Sequence, residues 1–282
     1  MIQNNKIKIG FFGTPEYAVT TLNILKDSGY EISFVVTMPD RPKGRKMIIT
    51  PPPAKVWALE NNIPVFQPEK LKDENLINSL KVFDCDVFVV IAYGKIIPDS
   101  ILNIPKYKSL NIHGSLLPKL RGSSPIESAI LTDERNTGAT IIRMDSEMDH
   151  GPIIGMRGVD TTNWPLTADV LGNEIVKVGA NLISEILPKW INGEIKEIEQ
   201  DHSQASFTQK INKEDGEINL NDDPYKNFLK IQAYHVWPSA FFFSKGKRIK
   251  ITKASYKDGV LSILRVIPEG KKEMDFHPDL LG

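Results

Sequence analysis

Residues Val87 to Ala92 read V-F-V-V-I-A, an apolar run with no alternation. A strand that is apolar on both faces has to be covered on both faces, as happens at the centre of a parallel sheet flanked by helices. The start of the chain agrees with this. Residues 6–12 (K-I-K-I-G-F-F) alternate and then turn apolar, and Gly13-Thr14-Pro15 breaks the run. Tyr17 to Lys26 then carries Ala18, Leu22 and Leu25 at helical spacing, and Glu31 to Thr37 is again strand-like. Thr14 reads as the cap of that helix and Pro15 as its first residue. Strand, tight turn, helix and strand open an α/β fold with a mostly parallel sheet.

Further helices are expected at Ala54 to Asn61, Asp73 to Phe83, Ser123 to Leu131 and about Thr167 to Lys189. Strands are expected at Pro64 to Phe66, Leu110 to His113 and Thr137 to Met144. The stretch 190–205 is polar and reads as a linker. From Ser206 the texture changes to short strand-like runs, at Ala240 to Phe243, Arg248 to Thr252 and Val260 to Val266, with one helix at Tyr225 to Tyr234. This gives a catalytic-size domain over 1–189, a linker, and a small strand-rich domain over 206–282, which a chain of 282 residues can accommodate.

Equal numbers of basic and acidic residues, 35 each, cancel the net charge, so any attraction for nucleic acid has to be local. The single cysteine, Cys85, excludes an internal disulfide and reads as a reduced thiol beside the core. No apolar run approaches the roughly 20 residues of a membrane span, and the N-terminus lacks a signal-peptide core. A cytoplasmic protein without membrane contact is expected.

One local basic segment stands out. Met38 to Pro53 holds five prolines and four cations, Arg41, Lys43, Arg45 and Lys46. Each proline removes a backbone donor, so the segment is read as a long loop rather than a helix interior or central strand. It is either a solvated loop or a mobile arm that touches phosphates.

The densest chemistry lies in Asn111 to Gly122, N-I-H-G-S-L-L-P-K-L-R-G. Asn111 and His113 are two apart on a strand and share a face, at the carboxyl end where open α/β sheets bind ligands. An amide beside an imidazole is a kit for a carbonyl whose oxygen becomes negative. The segment M-D-S-E-M-D-H-G-P-I brings Asp145, Glu147, Asp149 and His150 into one loop. Its spacing matches no zinc or EF-hand pattern, so it reads as solvated acids or as the source of a carboxylate for His113. Gly10-Phe11-Phe12-Gly13 misses the dinucleotide fingerprint in spacing and in its third glycine.

The motif N-x-H-x-S-L-L-P-x-x-x-G, from Asn111 to Gly122, resembles the signature of the 10-formyltetrahydrofolate-dependent formyltransferases. F-G-T-P-E-Y-A (Phe12 to Ala18), D-R-P-x-G-R (Asp40 to Arg45), A-Y-G-K-I-I-P (Ala92 to Pro98) and M-D-x-x-M-D-x-G (Met144 to Gly151) resemble the tRNA-modifying branch of that family, as do V-W-P at Val236 to Pro238 and P-E-G-K-K-E-M at Pro268 to Met274. The resemblance implies a Rossmann-like domain that binds 10-formyltetrahydrofolate and a small β-barrel-like domain that helps bind initiator methionyl-tRNA, whose α-amine accepts the formyl group. It implies Asn111, His113 and Asp149 as the catalytic trio, with Asn111 and His113 donating to the formyl oxygen. Ser115, Leu116, Leu117 and Pro118 fall in the folate site, and Ala92, Tyr93, Gly94, Lys95 and Ile96 line the pterin pocket. Arg41, Lys43, Arg45 and Lys46 enter the acceptor stem. No metal is required, and a monomer is expected.

Two departures from the pattern are visible. His150 stands where a small or hydroxyl residue is expected. Between Ser255 and Leu261 there is room for only a turn, so the barrel is expected to be incomplete. Lys245, Lys247, Arg248, Lys250, Lys253 and Lys257 follow one another with no acidic residue between them. This is either a lysine-protected edge strand or a phosphate-tracking surface, and the resemblance favours the latter, with Lys247, Arg248 and Lys250 as tRNA contacts. The rival acceptor is a nucleotide-linked amino sugar, which would use the same trio.

Overall fold

A computed structural model describes residues 6–44 and 46–280. In chain order its elements are β1 (Lys8–Gly13), α1 (Glu16–Asp27), β2 (Glu31–Val36), β3 (Arg41–Lys43), β4 (Ile48–Thr50), α2 (Pro53–Glu60), β5 (Val65–Phe66), α3 (Glu74–Lys81), β6 (Val87–Ile91) and α4 (Asp99–Leu102). There follow β7 (Ser109–His113), α5 (Pro125–Leu131), β8 (Gly138–Arg143), β9 (Ile153–Gly158), α6 (Ala168–Ile191), α7 (Pro224–Ala233), β10 (Phe241–Ser244), β11 (Lys247–Lys257), β12 (Val260–Pro268) and β13 (Met274–Asp275). The chain groups into two compact units. The first gathers residues up to Arg121, Gly138–Gly158 and Ile175–Ala205; the second gathers Gly122–Thr137, Val159–Glu174 and the residues from Ser206 on.

The first unit is built on a seven-stranded sheet in the order β5-β2-β1-β6-β7-β8-β9. Strands β5 to β7 of that order run parallel, and β8 and β9 are antiparallel. The unalternating run is explained by β6. Val87, Val89 and Ile91 pack into one core with Leu22, Ala58 and Ile183, while Phe88 and Val90 pack into the other with Phe12, Phe34 and Leu80. Burying such side chains contributes about 1.5–3 kcal/mol each. Gly10 is part of that packing rather than of a phosphate loop, since a Cβ there would meet the Phe34 ring and stand 2.6 Å from Phe88.

The second unit carries a four-stranded antiparallel sheet, β10-β11-β12-β13, packed around Ile218, Ile231, Phe242, Ile249, Ile251 and Val266. Asp258 and Gly259, both at positive φ, turn β11 directly into β12, as a two-residue hairpin loop requires. Among the described residues this sheet stays open, with β10 and β13 at its edges.

Three local expectations are corrected. Thr14 does not cap α1: Pro15 holds the cap position, and the Thr14 hydroxyl donates instead to the Tyr93 carbonyl at 2.8 Å. The proline-rich segment is not structureless. Its prolines sit outside any central sheet, in or beside an exposed two-stranded hairpin, β3 with β4. The stretch 190–205 is not a free linker: α6 runs on to Ile191, Ile198 bridges Ile153, and Gln200 is only 4% exposed. Most of its polar residues are exposed, but Gln200 is drawn inside by partners within the first unit, so the stretch is tied down rather than free.

Candidate active site

The site is assembled where β6 and β7 end. Within β7, Leu110 and Ile112 belong to the core, which leaves Asn111 and His113 on the opposite face. Asn111 is half-buried, and its amide makes no side-chain hydrogen bond to another described residue. His113 is buried. Its Nε2 bonds the Leu120 carbonyl at 2.9 Å, and its Nδ1 stands 3.5 Å from Asp149 Oδ1. A carbonyl can only accept, so Nε2 carries the hydrogen and Nδ1 is the nitrogen left to gain or lose a proton. The expectation that His113 donates to the same oxygen as Asn111 is therefore changed: its permanent N–H is already committed to Leu120.

The loop between His113 and Leu120 has a scaffold of its own. Ser115 donates from its hydroxyl to the Lys119 carbonyl at 2.6 Å, and its carbonyl accepts from Thr140 Oγ1 at 2.7 Å. The Leu117 amide donates to the same Thr140 oxygen at 3.1 Å, while the Leu117 side chain packs on Ile142 and Ile153. Leu117-Pro118 is a cis peptide, and Leu120 turns the chain at φ 59°. Ser115 and Leu117 are thus buried in the loop's framework, and Leu116 and Pro118 keep surface available to a ligand.

Asp149 comes from the turn before β9, at φ 52°. Gln200 holds that turn by donating to the carbonyls of Asp149 and Gly151. The Gln200 carbonyl in turn accepts from the Arg121 guanidinium at 2.7 and 3.2 Å, and both side chains are almost fully buried. Gly151 is required there, because a Cβ would collide with the Arg143 carbonyl. His150 turns to Asp145, 2.8 Å from its Nδ1, and stacks on His202 with centroids 4.2 Å apart. Sequence alone does not single out Thr140, Gln200, Arg121 or the Leu120 carbonyl; the arginine-glycine pair closing the 111–122 motif is the one available signal.

After β6 the chain passes through Ala92 at φ 45° and Gly94 at φ 96°, both exposed. Tyr93 points the other way. Its ring packs edge-on to Phe12 at 5.6 Å, and burial pushes its hydroxyl up to about 12. The Lys95 ammonium donates to the carbonyls of Pro68 and Glu69, and Ile96 is exposed. The segment therefore offers backbone and small side chains beside Asn111, which pairs with Val90 of β6.

On the β3–β4 hairpin, Arg41, Lys43 and Lys46 are exposed, and so is the apolar tip of Met47, Ile48 and Ile49. Arg45 lies outside the described residues. The Asp40 carboxylate at the hairpin base accepts from Lys55 at 2.8 and 2.9 Å and from Gln67 at 2.7 Å. In the second unit Lys247 is exposed and Lys250 half-buried, while the Arg248 guanidinium lies over the Phe241 ring at 3.7 Å.

The family model described as formyl transferase matches residues 6–187, and one described as formyl transferase, C-terminal domain, matches 210–259. The chain belongs to the formyl transferase family. Relatives of this formyl transferase include the methionyl-tRNA formyltransferase of Chloroflexus aggregans, 44% identical over 88% of this chain and 80% of that protein, and that of Sulfurihydrogenibium, 38% identical over 95% and 86%. Among solved structures, the methionyl-tRNA formyltransferase from Clostridium thermocellum aligns at TM-score 0.63 over 96% of this chain and 100% of that one, at 19% identity. The sugar 3N-formyl transferase WlaRD aligns at TM-score 0.64 over 90% and 88%, at 23% identity. At such identities the structural likeness bears on the fold.

Proposed function

We propose that this formyl transferase carries the formyl group of 10-formyltetrahydrofolate to the α-amine of methionyl-initiator tRNA. The chemistry rests on one observation: an uncommitted Asn111 amide and a His113 Nδ1 facing Asp149 lie on one strand end. The acceptor amine attacks the formyl carbon, and charge develops on the formyl oxygen. Asn111 donates to that oxygen, a contribution for which loss of one donor typically costs about 10²–10³ in rate. Asp149 and His113 Nδ1 take the proton that the attacking nitrogen must shed, and return it to the folate nitrogen as the carbon–nitrogen bond to it breaks. The Leu120 carbonyl keeps the imidazole in the orientation that points Nδ1 at this exchange.

For the folate, the exposed backbone at Ala92 and Gly94 suits the hydrogen-bonding edge of a flat heterocycle, with Leu116 and Pro118 supplying apolar contact. The choice of acceptor is supported by the relatives, all methionyl-tRNA formyltransferases at 38–44% identity in the two just described, and by the exposed cations of the hairpin. One chain supplies all three catalytic groups, so a monomer suffices. No helix among the described residues is long and apolar enough to cross a membrane, and we place the reaction in the cytoplasm. The test is to incubate the protein with 10-formyltetrahydrofolate and either methionyl-initiator tRNA or an amino-sugar nucleotide. Formylation of the tRNA is expected; formylation of the sugar alone overturns the reading.

A further inference from the structure

A cleft of about 530 Å³ in the second unit is lined by Arg135, Trp164, Pro165, Tyr225, Phe228 and Tyr256. These residues come from four separated stretches of the chain, and one carboxylate organises three of them. Asp133 accepts from the Trp164 indole N–H at 2.6 Å, from the Tyr225 hydroxyl at 3.0 Å and from the Arg135 guanidinium at 3.4 Å. Burial pushes the Asp133 carboxyl up, yet the combined hydrogen bonds of Arg135, Trp164 and Tyr225 hold it below the ordinary carboxylate range.

The polar tips of Trp164 and Tyr225 are therefore consumed internally, and what these side chains offer a ligand is ring surface. Tyr256 leans on Tyr225 at 5.1 Å and lies nearly parallel to Phe228, with centroids 5.8 Å apart and planes 21° apart. All four aromatic rings stay half-buried, whereas those of the first unit's core, such as Phe12, Phe34 and Phe88, are sealed. Fixed, half-open aromatic faces beside an exposed guanidinium suit a flat π system that stacks.

The strand that carries Tyr256 indicates what that π system is attached to. Lys253 and Lys257 share β11 with Tyr256, exposed on the face of the strand opposite its ring, at the end of the cationic run that begins at Lys245. A free mononucleotide brings one phosphate group; a row of cations along a strand matches a polynucleotide backbone. We propose that this cleft holds an unpaired nucleotide of the RNA substrate, its base stacked among Tyr256, Phe228 and Tyr225, a neighbouring phosphate on the exposed Arg135 guanidinium, and the chain beyond passing around the end of β11 to the lysines on its other face. This deepens the proposed function and rests on RNA being the acceptor.

The experiment compares Tyr256→Leu, which keeps apolar bulk but loses the ring, with Tyr256→Phe, which keeps the ring, in the full chain. Affinity for methionyl-initiator tRNA is measured at several salt concentrations together with steady-state formylation. Tyr256→Leu is expected to weaken tRNA binding about tenfold, with an unchanged salt slope and an unchanged kcat at saturating tRNA, while Tyr256→Phe behaves as the wild type. A short single-stranded RNA containing 2-aminopurine reports stacking directly, and its quenching is expected in the wild type and lost in Tyr256→Leu. Wild-type affinity in Tyr256→Leu, equal losses in both variants, or displacement of the oligonucleotide by an equal concentration of UMP would each overturn the proposal. Should the protein formylate amino-sugar nucleotides and not tRNA, the proposed acceptor fails separately, and the oligonucleotide quench still decides the cleft.

Discussion

Gln200 reaches across 51 residues of sequence to hold Asp149, its side-chain amide donating to the Asp149 carbonyl at 2.9 Å and to that of Gly151 at 2.7 Å. Its own carbonyl is held by Arg121, so one buried chain of hydrogen bonds links the end of the 111–122 motif to the turn that presents the carboxylate. Gln200→Leu leaves the two loop carbonyls and the guanidinium without these bonds, and a buried unsatisfied group costs about 1–3 kcal/mol. The expected outcome is a lower unfolding midpoint in urea and a kcat for formyl transfer reduced at least tenfold, with the KM for folate little changed. Wild-type kcat in a folded variant would show that the turn holds Asp149 without Gln200.

Asn111 and His113 share a strand face but have different hydrogen-bonding commitments, and substitutions should separate them. Asn111→Ala removes the proposed oxyanion donor and should lower kcat by about 10²–10³. Asn111→Asp should be worse than alanine, since it opposes a developing negative charge with another. His113→Ala removes the proposed proton acceptor opposite Asp149 and the bond to Leu120 together, and turnover should be lost while tRNA affinity stays within about twofold, because the imidazole is buried. Single-turnover rates and equilibrium tRNA binding check both; weakened tRNA binding with a normal rate contradicts the assignment.

Asn111 and His113 are legible in the sequence as an amide and an imidazole on one face of a strand end, whereas Asp149 is one of three acids in a loop and is picked out there only by the family resemblance. Their supports are hidden. A glutamine in a polar stretch looks like linker, and nothing local marks Gln200 as buried, because its partners at 121, 149 and 151 meet it only in the fold. Thr14 looks like a helix cap for the same reason: its hydroxyl has a better-placed acceptor in the Tyr93 carbonyl, but that lies 79 residues away. In the proline-rich segment, proline content argues correctly against a central strand but says nothing against a short exposed hairpin, where the missing donors face solvent.

Asp40 anchors that hairpin, and its titration gives a pH test. The hydrogen bond from Lys55, with that from Gln67, holds its carboxyl below the ordinary value of 3.8. A carboxyl whose folded value is depressed stabilises the fold fully above its unfolded value and loses that contribution as pH falls through the folded one. The hairpin base should therefore stay anchored at pH 5 and loosen only in stronger acid. Carboxyl NMR of Asp40 is expected to give a midpoint below 3.8; a midpoint at or above it would mean the Lys55 contact does not persist in solution. Asp40→Asn should make the hairpin more sensitive to limited proteolysis at neutral pH.

The hairpin's role in RNA binding is decided by salt. Arg41, Lys43 and Lys46 are exposed and come from a segment with one acidic residue, Asp40, whose charge is already engaged by Lys55. If these cations neutralise phosphates, each one removed takes a counterion-release contribution with it, and the slope of log affinity against log salt flattens by up to about 0.9 for every phosphate that is no longer neutralised. Replacing all three by alanine is therefore expected to weaken methionyl-initiator tRNA binding at low salt, to flatten the salt dependence, and to leave the kcat at saturating tRNA near wild type. Replacing Met47, Ile48 and Ile49 by serine should instead weaken binding without changing the slope, because the exposed tip contributes apolar surface and no charge. An unchanged affinity and slope in the triple-alanine variant would leave the hairpin a solvated appendage, and tRNA recognition would then have to come from other cations of the chain.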